Sequence, residues 1–339
     1  MTSAEPLCCI DMGTTNCRVY FVEGNCIRTR VEGAFGVRDV ARGQSPEDLR
    51  AKLEALILDT AQQVQSSGLA ALPRYALGAG MLTSAQGLME IPHIPAPATG
   101  LDLARHMVRF TPGLARSMEL FLAPGVRTGP LSTDPETALR SDIMRGEEML
   151  VLGLLAIGRM RPNTALLNLG SHWKWIWADS LGSIARSRTT LTGELIHVAQ
   201  SLTLLSSALP RTRPETLHEK WLELGGREAR RSGLTRSLFC VRLLEQAGQG
   251  TPEERLSFLY GAFLETEFSA LLRDESFSSL RSVCITGPPA LAEAWKQKLS
   301  QMDCEGCVVR EEEREHAYVE GLRHTFLLAQ QDGCLSVPT

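Results

Sequence analysis

One pattern occurs twice in this chain: a short apolar run, a turn of glycine and small polar residues, then a second apolar run. Leu7–Ile10 passes through Asp11 into Gly13, Thr14 and Thr15, and the apolar run resumes at Val19–Val22. Ala165–Gly170 passes through Ser171 and His172 into Trp173–Ala178. Each reads as strand, tight bend, strand. A repeated unit of this kind commits both halves of the chain to a sheet, and the segments between them read mostly as helices, so the expected class is layered α/β.

The flanking segments fit that class. Gly24-Asn25 turns the chain before another run at Cys26–Val31. Glu47–Gln65 carries Leu49, Leu53, Leu56, Ile57, Ala61 and Val64 at helical spacing behind Ser45-Pro46, a capping residue and a first-turn proline. Tyr75–Gly80 and Ser117–Ala123 read as strands, Pro124–Pro130 as a turn and Asp142–Arg159 as a helix. Further helices are expected at Glu194–Leu209, Pro214–Gly225, Leu234–Gln246, Pro252–Leu272, Ala290–Gln301 and His316–Gln330, with strands at Ser282–Thr286 and Cys307–Arg310. Met81–Thr99 differs: three prolines between Pro92 and Pro97 forbid regular structure, and the segment is too apolar for disorder, so it reads as a shaped loop lining a cleft.

At 339 residues the length implies about two domains. Thirty-five basic against thirty-nine acidic residues leave a formal charge of −4, with no basic excess to attract nucleic acid or an anionic membrane. The most apolar stretch, Met149–Ile157, is far shorter than the roughly 20 residues of a membrane span. The start of the chain lacks the basic and apolar regions of a signal peptide, so a cytoplasmic location is expected. The nine cysteines are an odd and scattered set, as reduced thiols are. Cys304 and Cys307 form a lone C-x-x-C without the second pair of a zinc ribbon.

Five stretches can carry chemistry. Gly13 with Thr14 and Thr15 offers backbone N–H groups and hydroxyls that suit a phosphate, and Asp11 beside them can hold Mg²⁺ or its water shell; the same residues also make an ordinary polar hairpin turn. Gly170, Ser171, His172 and Lys174 form a second such bend, while Trp173 and Trp175 fit strand packing. Asp142, Glu147 and Glu148 either complement a helix dipole or include a general base, and Arg145 either stabilises transferring phosphoryl charge or pairs with Asp142. Gly80, Met81, Ser84, Gln86 and Glu90 can line a polyol or sugar-acid pocket. Gly287 sits in a Gly-Pro-Pro turn that can approach an adenine or ribose. Neither a Walker A loop nor G-x-G-x-x-G is present.

Taken in order, IDMGTTNCR (10–18), GAGMLTSAQGLMEIPHIPAPA (78–98), PGVRT (124–128), SDIMRGEEMLVLG (141–153), LNLGSHWKW (167–175), LTGELI (191–196), ITGPPALAEAW (285–295) and AYVEGLRH (317–324) resemble the 2-dehydro-3-deoxygalactonokinase family of the sugar kinase/actin/Hsp70 ATPase superfamily. The resemblance implies a two-lobed ribonuclease H-like fold with ATP and Mg²⁺ in an interdomain cleft. It implies lobes at about 1–140 and 141–339, with the last helix packing back on the first. The implied reaction is phosphorylation of the 6-hydroxyl of 2-dehydro-3-deoxy-D-galactonate, with the sugar acid as the small-molecule partner and no nucleic acid or membrane; a homodimer is compatible with it. The implied roles are phosphate binding for Asp11, Gly13, Thr14, Thr15, Gly170, Ser171 and His172, and adenosine binding for Gly287. Gly80, Met81, Ser84, Gln86, Glu90, Arg127 and Lys174 fall to the substrate, Arg145 to the substrate carboxylate or the transferring phosphoryl group, and Glu147 to the base. The chain departs from the family pattern at Met12, Leu88, His93 and Met149. A kinase of the superfamily with another acceptor, and a non-catalytic binder of sugar acid or nucleotide, are the competing readings.

Overall fold

The computed structural model describes residues 5–66, 73–114, 118–274, 277 and 280–335. The chain divides into two compact units: residues 1–163 with 177–187 and 312–339, and residues 164–176 with 188–311.

The first unit opens with β1 (Leu7–Met12), β2 (Cys17–Glu23) and β3 (Cys26–Gly33), then α1 (Val37–Ala41) and α2 (Pro46–Ser66). β4 (Tyr75–Gly80), β5 (Ile94–Pro95), α3 (Gly100–Arg105), β6 (Val108–Leu114) and β7 (Met118–Leu122) follow, and then β8 (Val126–Thr128), α4 (Pro135–Ala138), β9 (Asp142–Met144) and α5 (Glu147–Ala156). Its main sheet runs β3-β2-β1-β4-β7-β6. β1 pairs antiparallel with β2 and parallel with β4, so its run Leu7–Ile10 is buried on both faces. The leucines and Ile57 of α2 close over this sheet in one core with Ile10, Val19 and Leu120.

The second sheet opens with β10 (Ala165–Leu169), β11 (Trp173–Ala178) and β12 (Ile184–Thr190), of which residues 177–187 fall to the first unit; in the second unit α6 (Thr192–Leu202), α7 (Glu219–Ser232), α8 (Leu234–Gln246) and α9 (Pro252–Leu271) follow. Then come β13 (Ser282–Thr286), α10 (Pro289–Ser300) and β14 (Glu305–Val308). This sheet runs β12-β11-β10-β13-β14, with β13 parallel to β10 and β14 parallel to β13. The order repeats that of the first five strands of the other sheet. Trp173 and Trp175 are buried and meet Trp295 edge-on at 5.9 and 5.6 Å, which confirms strand packing as their role. α11 (Glu311–Gln331) closes the chain and belongs to the first unit, where the Tyr318 hydroxyl donates to the Ile10 carbonyl at 3.1 Å. α5 and α11 cross closely: a Cβ on Gly153 would lie 1.6 Å from the Ala317 carbonyl oxygen.

Several elements differ from the sequence reading. The helix expected from Asp142 is a strand to Met144, and α5 starts only at Glu147 because Gly146, at φ 103°, breaks the path between them. The turn expected at 124–130 contains β8, which pairs with β5 and β9 in a small third sheet. β12 lacks a clean apolar alternation (IARSRTT) and was not anticipated. The helix expected to Leu209 stops at Leu202, where Thr203 turns extended (ψ 178°). The one expected from Pro214 starts at Glu219. Ser117, the first residue of the expected 117–123 strand, lies outside the described residues. The boundary expected at 140/141 falls inside the first unit, since β9 pairs with β8.

Candidate functional site

The first turn is built at the end of β1. The Gly13 N–H donates to the Asn16 carbonyl at 2.9 Å, which closes the bend and leaves Thr14 and Thr15 half-exposed. The Thr14 carbonyl accepts from the Arg38 N–H at the start of α1, at 2.9 Å. Gly36, just before that helix, presses against the bend so closely that a Cβ would stand 2.6 Å from the Gly13 and Thr14 carbonyl oxygens.

The second turn repeats the arrangement. The Ser171 carbonyl accepts from the Glu194 N–H in the first turn of α6, at 2.8 Å. Gly193 presses against the bend, where a Cβ would stand 2.2 Å from the Gly170 and 2.6 Å from the Ser171 carbonyl oxygen. In both units a helix N-terminus occupies the turn's carbonyls. The Cβ position of Gly13 has no neighbour nearer than 3.5 Å and that of Gly170 none nearer than 3.7 Å, so the other side of each bend stays open. Open backbone with adjacent hydroxyls is what an anion requires.

The parallel neighbour strand adds a glycine in each unit. Gly80 (φ 80°) ends β4, where a Cβ would sit 2.5 Å from the Met12 carbonyl oxygen. Gly287 (φ 132°) follows β13, where a Cβ would sit 2.6 Å from Leu169 Cβ. Neither position tolerates a side chain.

The two units differ in their polar groups. Asp11 pairs across β1 and β2 with Arg18, whose Nη1 lies 3.4 Å from its carboxylate. Burial raises the Asp11 pKa, Arg314 and Arg18 oppose that shift, and the charge of Glu147 adds to it. The corresponding residue in β10 is Asn168, whose Oδ1 accepts from Thr286 Oγ1 at 3.0 Å. His172 Nε2 lies 3.6 Å from Glu194. Lys174 is 6% exposed within β11, in the sheet rather than at the open bend, so the substrate contact expected of it is not supported.

The acidic segment converges on the first turn. Gly146 packs on Gly80, whose Cα would be 3.2 Å from a Cβ there. Glu148 is wholly buried and uses both oxygens, at 2.7 and 2.8 Å, to accept from the Gly146 N–H. Glu147, the first residue of α5, is half-exposed. Arg145 donates from Nη1 to Thr83 Oγ1 at 2.8 Å, and from Nη2 to the Ile91 carbonyl at 2.8 Å and His93 Nδ1 at 3.4 Å. Burial lowers its pKa, and Glu148 and Glu90 offset part of that shift.

Along the shaped loop, Gln86 and Glu90 are exposed and Met81 and Ser84 half-exposed, with Ser84 Oγ donating to the Met81 carbonyl at 2.8 Å. Arg127 on β8 donates to the Gly129 carbonyl at 2.7 Å. Sequence reasoning missed Gly36, Gly193, Thr83 and Arg314. Aligning the two turns and reading on to the next glycine before a helix finds the first two; nothing local marks the others.

Among the described residues, no group of three or more His, Cys, Asp or Glu side chains is placed to hold a metal, and Cys304 is buried while Cys307 is half-buried. No helix of the described residues is long and apolar enough to cross a membrane.

A sequence model of the 2-keto-3-deoxy-galactonokinase family matches residues 11–325. The chain is 25% identical over 317 residues to the 2-dehydro-3-deoxygalactonokinase of Escherichia coli strain K12, covering 93% of this chain and 96% of that protein. Among solved structures it resembles a candidate 2-dehydro-3-deoxygalactonokinase from Sinorhizobium meliloti, with TM-score 0.70, 22% identity, and 94% and 97% of the two chains covered. It also resembles the activator of 2-hydroxyisocaproyl-CoA dehydratase from Clostridium difficile, solved with ADPNP, with TM-score 0.52, 10% identity and 97% of each chain covered. Both likenesses are of fold alone, a mixed α/β architecture that this chain shares with these two proteins.

Proposed function

We propose that this chain, which belongs to the 2-keto-3-deoxy-galactonokinase family, transfers the γ-phosphoryl group of ATP to the 6-hydroxyl of 2-dehydro-3-deoxy-D-galactonate. As a member it is a sugar kinase, a phosphotransferase with an alcohol acceptor. One observation supports this assignment of roles above the rest. In the first unit an acid at a helix start, a phosphate-type turn and a shaped polar loop meet within a few residues of Gly80 and Gly146.

In this reading the bends at Gly13–Thr15 and Gly170–His172 hold phosphates by N–H and hydroxyl donors, and Gly287 lies against the adenosine. Asp11 suits Mg²⁺, because its carboxylate stands near a strand end, largely buried but with 18% of its side chain still exposed, beside the open bend. Asp11 would hold that ion through its water shell, and the ion would offset phosphate charge. Glu147 accepts the proton of the 6-hydroxyl. Ser84, Gln86, Glu90 and Arg127 supply polar groups to the sugar acid, and the backbone of Gly80 and Met81 shapes the near wall. Catalysis of this type is mostly positioning and electrostatics.

The test is coupled detection of ADP release with 2-dehydro-3-deoxygalactonate, its gluconate epimer and N-acetylhexosamines. Glu147→Gln is expected to bind ATP as before and to lose about 10²–10⁴ in turnover, the usual worth of general-base help. Turnover at the unaltered rate would remove Glu147 as the base and leave Asp142 and Glu148 as the acids of this segment to test next.

A further inference from the structure

Arg145 is tied through both arms of its guanidinium to the loop beside it. Its guanidinium fork is planar and rigid. One arm is spent on Thr83 Oγ1 and the other on the Ile91 carbonyl. These acceptors lie at the two ends of the loop that carries Ser84, Gln86 and Glu90. Thr83 in turn donates to the Gly80 carbonyl at 3.1 Å, which links the loop to the strand end beside the first turn. The near side is blocked as well: a Cβ on Gly125 would lie 2.3 Å from the Met144 carbonyl oxygen, 2.7 Å from Arg145 Cγ and 2.8 Å from His93 Cδ2. Within the loop the chain is already folded on itself, with the Leu88 N–H donating to the Leu82 carbonyl at 2.9 Å and the Ile91 N–H to the Thr83 carbonyl at 3.0 Å.

We propose that Arg145 is a positioning residue that braces both ends of the 83–91 loop through Thr83 and the Ile91 carbonyl, and thereby sets affinity for the sugar acid rather than the rate of phosphoryl transfer. The kinetic half of this inference rests on the sugar-acid kinase reading above; the structural half does not.

Two measurements on the full chain separate the halves. The first is amide hydrogen exchange without substrate. In Arg145→Met, Leu88 and Ile91 are expected to exchange at least about tenfold faster, as follows from losing charge-assisted hydrogen bonds. The amide of Val309, bonded to Ile285 in the second unit, serves as the control and is expected to stay unchanged. The second is steady-state kinetics. Arg145→Met is expected to raise KM for the sugar acid by about ten- to a hundredfold, with kcat and KM for ATP within about threefold, a change small enough to leave transition-state contacts in place. Thr83→Val is expected to move KM in the same direction by about tenfold, and Thr83→Ser, which keeps the hydroxyl, to restore it.

Unchanged exchange at Leu88 and Ile91 in Arg145→Met overturns the brace. So does a fall in kcat with KM for the sugar acid unaltered, which would place Arg145 on the transferring group. If Arg145→Met does not fold, the Thr83 pair decides in the same way. If the unaltered protein phosphorylates no sugar acid, the kinase reading fails and the exchange result alone decides the brace.

Discussion

Asp11 and Asn168 occupy the same place in two copies of one strand–turn–strand unit, three residues before Thr14 and Ser171. Around them nearly everything repeats: the glycine that opens the bend, the hydroxyl after it, the glycine pressed on the bend's carbonyls and the helix N–H bonded to them. The charge does not repeat. Asp11 is a largely buried carboxylate with Arg18, Arg314 and Glu147 around it, while Asn168 is a neutral amide held by Thr286. The acids at the two helix starts also differ: Glu194 of α6 lies 3.6 Å from His172 in the second copy, whereas the Gly146–Glu148 helix start adjoins the first. The same backbone can grip a phosphate in either copy. The proposed chemistry is assigned to the first, where Asp11, Arg18, Arg314 and Glu147 stand together.

Exchanging the two residues tests this division most severely. Asp11→Asn is expected to cost about 10²–10³ in kcat, the range for removing one electrostatic stabiliser from an active site. Asn168→Asp places a negative charge beside the second bend, proposed to hold phosphate, and is expected to weaken ATP binding about tenfold, or ~1.4 kcal/mol, by titration calorimetry. Equal losses of kcat in both variants would break the distinction.

The Asp11 exchange also has a pH signature. Its pKa is raised in the folded state, chiefly by burial, so the native protein holds that proton more tightly than the unfolded chain does. Stability from this group is present below its unfolded pKa and is lost as pH rises through the folded value. Asp11→Asn removes that loss. Its denaturation midpoint is therefore expected to exceed that of the unaltered protein at neutral pH, with the gap closing toward acid. Asn168→Ala is expected to leave this pH dependence unchanged.

The shared scaffold is tested by its pinched glycines. Gly193→Ala and Gly36→Ala each drive a Cβ into backbone oxygens, at 2.2 and 2.6 Å. Each is expected to cost about 1–3 kcal/mol in a denaturant titration, Gly193→Ala the more. A neutral Gly36→Ala would mean that the first bend is not held as the second is. The smallest effect belongs to the hydroxyls. Thr14→Ala and Ser171→Ala are each expected to raise KM for ATP by about two- to tenfold, the worth of one hydrogen bond.

The sequence by itself determined the duplicated bends, the strands and most helices flanking them, and membership of a kinase family. These rest on local chemistry: glycine and small hydroxyl residues at a turn, apolar runs of strand length, and capping residues such as Ser45, whose hydroxyl accepts from the Asp48 N–H at 3.1 Å. Only the tertiary structure decided which of Glu147 and Glu148 is open to solvent. Glu147 and Glu148 are adjacent and chemically alike, and what separates them is that Glu148 turns back onto the Gly146 N–H in a buried site. The same holds for Arg145, whose partners stand 62 and 54 residues away in the chain. It holds also for the glycine pinch at Gly193, 23 residues beyond Gly170, which exists only once a helix start is packed against a bend. A turn depends on a few neighbouring torsions, so it is legible in the sequence. The direction of a charged side chain depends on which distant backbone groups share its burial, and folding alone brings those together.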